Sequence, residues 1–192
     1  MIKAIITDFD GTLVDTFEAN LRAYQEALSY YGFSLTEEKY RDCFGLRFDA
    51  FMSRLGIFDS ELSLRIRDMK ANCYPKYFQY LRINSNLINI IKTFRLYGIK
   101  VAIASTARKT NLTNVLNYLK ISDLFDVIIA GQDVGKGKPN PEIYNYTMNK
   151  IFVSPEDCLI FEDSDIGVEA AKSSGANYIR DARKSVKNNL TI

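Results

Sequence analysis

Residues 2–16 read IKAIITDFDGTLVDT. The first half is mostly apolar and β-branched, and it reads as a strand over residues 2–8. The second half changes character. Asp8, Asp10 and Asp15 fall within eight residues, and Asp8 and Asp10 flank a single residue, Phe9. Side chains alternate along an extended backbone, so residues 8 and 10 are expected to point the same way. Gly11 then permits a sharp turn. Two carboxylates thus share one side of a chain where a strand stops. Aspartate also caps turns well, so this stretch alone supports a structural reading as readily as a chemical one.

Four further runs have the same strand character: KVAIAS (100–105), DVIIA (126–130), DCLIFE (157–162) and NYIR (177–180). Their near-continuous hydrophobicity fits parallel strands covered on both faces. Helical periodicity lies between them, over 86–97, 109–119, 140–151 and 165–174. The first of these carries Leu87, Ile90, Ile91 and Phe94 at helical spacing and stops at Gly98; Pro139 and Pro141 open the third. The alternation predicts an α/β fold, a doubly wound parallel sheet. Residues 17–81 interrupt it with four helix-like segments, 17–32, 34–45, 48–56 and 60–81, and no clear strand. Ser34 and Thr36 look like caps for the second. The aromatic residues Phe44, Phe48, Phe51, Tyr74, Tyr77, Phe78 and Tyr80 are predicted to face mostly inward. The domain reading is therefore a core of 1–15 with 82–192, and a helical insert of 16–81. The final stretch, RKSVKNNLTI (183–192), is polar and is predicted to fray or to form a short last turn.

Composition narrows the function. The 192 residues are 47% hydrophobic with a net charge of +2, which suits one core with a small accessory domain. Apolar runs such as VIIA and VAIA are strand-sized, far below the ~20 residues of a membrane span. Lys3 is followed by only three apolar residues before Thr7 and Asp8, so no signal peptide is expected. Lys and Arg are scattered, without the dense block that would argue for nucleic acid. Cys43, Cys73 and Cys158 have neither zinc nor CxxC spacing and read as reduced, buried thiols of a cytoplasmic protein. There is no histidine. Ser-His-Asp and Cys-His machinery and His-ligated metals are excluded, and acid–base work falls to carboxylates, lysine or tyrosine.

Ligands of open parallel sheets bind at the carboxyl ends of the strands, where strand order reverses. That rule gathers Asp8 and Asp10 after the first strand, Ser105 at the end of the second, Lys138 in the GKGKPNP loop, and Glu162 and Asp163 at the end of CLIFED. Hard oxygen donors suit Mg²⁺ together with a phosphate group. A carboxylate nucleophile can form an aspartyl-phosphate, and a lysine offsets charge on the phosphoryl oxygens. GKGKP lacks the P-loop pattern, so Lys136 reads as a solvated surface lysine. Asp165 reads equally as a helix cap or a ligand.

Four patches together resemble a known family, the haloacid dehalogenase-like hydrolases. DFDGTLVDT (8–16) is similar to its first motif, VAIAS (101–105) to the second, GKPNPEIY (137–144) to the third, and IFEDSDIGVEAAKSSGA (160–176) to the fourth. The resemblance implies a Rossmann-like core with an inserted α-helical cap. It implies a Mg²⁺-dependent phosphatase acting on a small phosphomonoester, of sugar phosphate or phosphoglycolate type, without nucleic-acid or membrane partners, as a monomer or weak dimer. Carried over by position, it makes Asp8 the nucleophile and Asp10 the general acid/base. Asp8, Asp10 through its backbone carbonyl, and Asp163 would hold the metal, with Glu162 binding a metal water or setting Lys138. Ser105 and Lys138 would bind the phosphoryl group. Thr12 would orient the loop and is counted with Arg47, beside Gly45, among the substrate-binding residues. Asp15 reads as the start of the hinge. Dehalogenase and phosphonate-cleaving members lack the second aspartate that is present here as Asp10. The alternative is a β-phosphoglucomutase-like phosphomutase. Such enzymes carry a histidine after the first motif, where this chain reads FEAN (17–20). A catalytically silent binding domain is a third reading. Where the family often closes its hinge with proline-glycine, this chain has RINSNL (82–87).

Overall fold

The computed structural model describes residues 1–180, so the expected fraying of 183–192 lies outside the described residues. The chain forms two compact units: Met1–Val14 with the described part of Ile83–Ile192, and Asp15–Arg82.

In the first unit, β1 (Ala4–Thr7) is fully buried along its length, because Ile5 and Ile6 fill opposite faces. The two-residue strands β2 (Val14–Asp15) and β3 (Arg82–Ile83) stand where the chain passes between the units. Four longer strands complete the sheet: β4 (Lys100–Ala104), β5 (Val127–Ile129), β6 (Cys158–Glu162) and β7 (Asn177–Arg180). All pairings are parallel, in the order β5-β4-β1-β6-β7. The chain first builds outward on one side of β1 and then on the other, so β1 is the switch point of an α/β, Rossmann-like sheet. Register aligns Thr7 with Ile103 of β4 and with Phe161 of β6.

Helices α5 (Ser85–Leu96), α6 (Lys109–Leu119), α7 (Glu142–Ile151) and α8 (Asp165–Ser173) alternate with these strands, each preceding one, as predicted. One face of the sheet mixes small and branched residues: Ala4, Ala102 and Ala104 with Ile6 and Ile160. Those alanines leave room for Tyr144, Met148 and Ile151 of α7 and for Ala170 and Ala171 of α8. The alternate residues Ile5, Val101 and Ile103 are also fully buried, so both faces are covered. The α5 N-terminus is capped by Asn84, whose side chain accepts the Leu87 N–H at 3.1 Å. Among the described residues, no helix is long and apolar enough to cross a membrane.

The second unit is helical: α1 (Phe17–Tyr30), α2 (Glu37–Arg41), α3 (Phe48–Arg54) and α4 (Ser60–Cys73), then a 3₁₀ stretch Tyr74–Tyr80. The predicted single segment 60–81 divides at Cys73 because Pro75 lacks the N–H an α-helix interior needs. Thr36 caps α2, and Asp59 caps α4 by accepting the Glu61 and Leu62 N–H groups. Leu21, Leu28, Met52 and Ile66 form its core beside an aromatic cluster of Phe17, Tyr24, Tyr40, Phe44 and Phe51. Of the aromatic residues expected inside, Phe51, Tyr74 and Phe78 are buried, while Phe44, Phe48, Tyr77 and Tyr80 are partly exposed.

Glu26 of α1 ties the 3₁₀ stretch down, accepting from Lys76 Nζ at 2.5 Å and Tyr77 OH at 2.7 Å. Those bonds, Lys76 first, hold its carboxyl at about 2 against an ordinary 4.5. A depressed folded-state value means that the ionised pair stabilises the protein fully above 4.5 and loses that contribution as pH falls toward about 2. Glu26→Gln is therefore expected to lower the melting temperature slightly at pH 7. The gap to wild type should close as pH falls below 4.5, which thermal unfolding across pH will read.

Candidate active site

Backbone pairing in β1 stops at Thr7, and Asp8 lies one residue beyond. Its N–H still donates to the Phe161 carbonyl at 2.9 Å, and its side chain is 9% exposed. The chain then turns. The Phe9 carbonyl accepts the N–H groups of Leu13 (3.1 Å) and Val14 (3.0 Å), and Gly11, at φ +93°, donates to the Val14 carbonyl at 2.8 Å. A φ of that sign favours glycine. The extended backbone of β1 therefore ends at Thr7 and gives way to a turn through Asp10. Asp10, half-buried, lies in a tight turn that the Phe9 carbonyl pins.

Opposite Asp8 is Lys138, carried by the loop between β5 and α7. Its ammonium donates to Asp8 Oδ1 at 2.7 Å and also to Glu162 Oε1. The Lys138 side chain is only 3% exposed. Glu162 ends β6 and is fully buried. Its Oε1 additionally accepts the Tyr144 hydroxyl at 2.8 Å. Its Oε2 accepts the Asp163 N–H (2.9 Å), the Ser164 N–H (3.2 Å) and the Ser164 hydroxyl (3.1 Å). Both carboxylate oxygens are thus engaged by the protein, and the arrangement fits the expectation that Glu162 sets Lys138 better than one that it binds water on a metal.

The electrostatics follow from burial and crowding. Burial pushes the Asp8 carboxyl well above its usual range, and Glu162 and Asp163 add to that, while Lys138 opposes it. For Lys138, burial alone would favour the neutral amine, but Asp8, Tyr144 and Glu162 together hold it well above its ordinary value, so it stays charged. Glu162 is likewise pushed up by burial, yet Lys138 and its other donors bring it below the ordinary value.

The remaining expected residues divide. Thr12, fully buried, donates its hydroxyl to Asp163 Oδ1 at 3.0 Å, so it orients that carboxylate. Ser105 follows β4 and is 1% exposed; its hydroxyl accepts the Ala107 N–H at 3.1 Å in a local turn. Arg47 lies in the other unit, at the N-cap position of α3, 3.9 Å from Asp49. Lys136 is exposed, as read from its loop. Ser164 caps α8 by accepting the Gly167 N–H at 3.1 Å, which leaves Asp165 as the first helical residue, paired with Arg180 at 2.6 Å.

Three contributors escaped sequence reasoning. Asn84 donates its side-chain amide to the Thr12 carbonyl (3.0 Å) and its N–H to the Leu13 carbonyl (2.9 Å), so the α5 cap also clamps the Asp10 turn. Tyr144 reads in sequence as one more apolar helix position. Gly167 sits in the first turn of α8, where a Cβ would lie 1.9–2.2 Å from the Glu162 carboxylate. A glycine inside a helical pattern is the signal that marks such a close approach.

Asp8, Glu162 and Asp163 each bring an oxygen within 4.8 Å of the other two, all three residues being buried. Asp8 and Glu162 share the Lys138 ammonium and Asp163 lies beside them, so acidic groups are in excess of positive charge. A divalent cation with a preference for hard oxygen donors fits both the donor set and that charge.

Gly167→Ala sets two effects against each other. Helix propensity favours alanine by up to about 1 kcal/mol. The clash with a carboxylate held by five donors costs roughly 1–3 kcal/mol as the group is driven off its partners. The clash is expected to win, giving a net loss of stability in denaturant unfolding.

With this geometry, comparison with known proteins is informative. The profile of the haloacid dehalogenase-like hydrolase family matches residues 5–180. A phosphorylated carbohydrates phosphatase of Thermotoga maritima is 32% identical, over 93% of this chain and 84% of that protein. A beta-phosphoglucomutase of Bacillus subtilis is 26% identical, over 91% of this chain and 80% of its own. The crystal structure of CbbY from Rhodobacter sphaeroides in complex with phosphate superposes with a TM-score of 0.87 at 27% identity, over 94% of this chain and 86% of that one. The parallel sheet, the carboxylates at its β1 and β6 ends, and a match running through almost all the described residues lead to one conclusion: this chain is an enzyme that belongs to the haloacid dehalogenase-like hydrolases.

Proposed function

We propose that the protein is a Mg²⁺-dependent phosphatase that hydrolyses a small phosphomonoester, of sugar phosphate or phosphoglycolate type, through an aspartyl-phosphate on Asp8. The observation that carries this is the buried ammonium of Lys138 shared between Asp8 and Glu162, beside Asp163. Asp8 and Asp163 would hold a cation there, which would offset negative charge on the nucleophile and on a phosphoryl group.

Asp8 attacks phosphorus while the bond from phosphorus to the leaving oxygen breaks. Asp10, entering protonated, gives its proton to that oxygen, and the alcohol departs. Asp10, now a carboxylate, takes a proton from a water molecule whose oxygen attacks the same phosphorus. The bond to Asp8 breaks, inorganic phosphate leaves, and Asp10 is again protonated. Ester and water give alcohol and phosphate, and the enzyme is restored. With no histidine in the chain, Asp10 meets no rival from that residue type for the proton-transfer role. Lys138 balances charge on the phosphoryl oxygens, and Ser105 is proposed to contact them from the end of β4. Thr12 keeps Asp163 in place, and Arg47 is proposed as a substrate contact from the insert. When bound, Mg²⁺ would be held by Asp8, Asp163 and the Asp10 carbonyl, and would supply further charge neutralisation. Glu162 acts by setting Lys138.

The choice of a sugar phosphate draws on the Thermotoga maritima relative, which by its name acts on phosphorylated carbohydrates. A phosphomutase reading is supported by the Bacillus subtilis relative and weakened by the missing histidine. The intact set of Asp8, Asp10, Lys138 and Asp163 speaks against a silent binding domain. A cytoplasmic location agrees with three buried free thiols, and the protein is proposed to be a monomer or weak dimer.

Asp8→Asn should lower phosphate release by about 10³-fold or more. Its metal-free stability should hold or rise, because one of three crowded carboxylates is gone. Chelation of divalent ions should abolish turnover, and added Mg²⁺ should restore it. A panel of phosphate esters, assayed for free phosphate and for migrated phosphate, separates phosphatase from mutase.

A further inference from the structure

Tyr144 is fully buried, yet its hydroxyl and its ring both meet the charged centre. It is the third residue of α7, and its N–H donates to the Pro141 carbonyl at 3.0 Å, which fixes the start of that helix to the Lys138 loop. The hydroxyl donates to Glu162 Oε1 at 2.8 Å, the same oxygen that accepts Lys138. The ring lies under the ammonium, with Lys138 Nζ 4.9 Å from its centroid, inside cation–π range. A core position asks only for an apolar ring. The hydroxyl is an addition, and it is spent on the one oxygen that competes with Asp8 for Lys138.

We propose that Tyr144 is a positioning residue for phosphoryl transfer, which keeps the Lys138 ammonium shared between Glu162 and Asp8. Charge alone would draw Lys138 fully onto Glu162, because that carboxylate is the more buried of its two partners. By occupying Oε1 jointly, the phenol weakens that pull and restrains the carboxylate, while the ring face supports the ammonium from the other direction. The ammonium then stays within 2.7 Å of Asp8, where charge changes as Asp8 bonds to phosphorus. This inference rests on the phosphatase reading given above.

The test is Tyr144→Phe, which keeps the ring and removes only the hydroxyl. Glu162 Oε1 retains Lys138 as a donor, so the fold should persist with a melting temperature within a few degrees of wild type. In the full chain with Mg²⁺, kcat is expected to fall about tenfold with little change in KM, the pattern of an interaction felt in the transition state. Orthovanadate, which mimics that state, should inhibit about tenfold more weakly, while binding of inorganic phosphate changes less. Installing 4-aminophenylalanine at position 144 returns a donor to the same place and should recover most of the loss. If Tyr144→Phe matches wild type in kcat and in vanadate inhibition, or if the amino variant behaves as the phenylalanine one does, Tyr144 only fills space and the proposal is overturned. If Tyr144→Phe does not fold, the amino variant against wild type decides: near-native kcat supports the donor role, and a tenfold loss sinks it. A wild type that releases no phosphate and ignores vanadate would overturn the phosphatase reading itself, and this proposal with it.

Discussion

The buried ammonium of Lys138 is the contact on which the site depends. Carboxylates at the ends of β1 and β6 are forced close by the parallel register, and each costs on the order of several kcal/mol to bury uncompensated. One lysine, 3% exposed, bridges Asp8 and Glu162 and makes that crowding tolerable. It does not make it neutral. The remaining excess of acidic groups is the feature that a bound cation would use.

Much of the surrounding structure serves that contact. The switch in strand order at β1 creates an edge where a central strand has neighbours on both sides, and Asp8 meets the Phe161 carbonyl of β6 and the Lys138 loop within one residue of the last paired level. The α8 N-terminus aims the Asp163 and Ser164 N–H groups at Glu162, and the absent side chain of Gly167 gives that carboxylate its room. Asn84 and Thr12 form a second line of support, one holding the turn of Asp10 and the other holding Asp163.

The sheet was legible because its physics is local. Strands predicted at 100–105 and 157–162 form at Lys100–Ala104 and Cys158–Glu162, since short β-branched runs between turn residues have few other solutions. Asp8, Lys138, Glu162 and Asp163 could be gathered on paper because parallel strands end on one edge. What escaped depends on side-chain direction. Hydrogen bonds to the Phe9 carbonyl, invisible in a pattern of residue types, end the extended chain before Asp10. Thr12 and Ser105 look alike in sequence as loop hydroxyls; one turns to Asp163 and the other to its own backbone. Tyr144 reads as an apolar helix position, and only the fold reveals that its hydroxyl reaches the charged centre.

The central claim is that Asp8, balanced by Lys138, becomes covalently bonded to phosphorus. Quenching the enzyme during turnover, reducing it with borohydride and sequencing its peptides by mass spectrometry tests this directly, because reduction converts an aspartyl-phosphate to homoserine. The account predicts homoserine at Asp8, only when both a turned-over ester and Mg²⁺ are present. Homoserine at a different aspartate, or none while phosphate is being released, would contradict it.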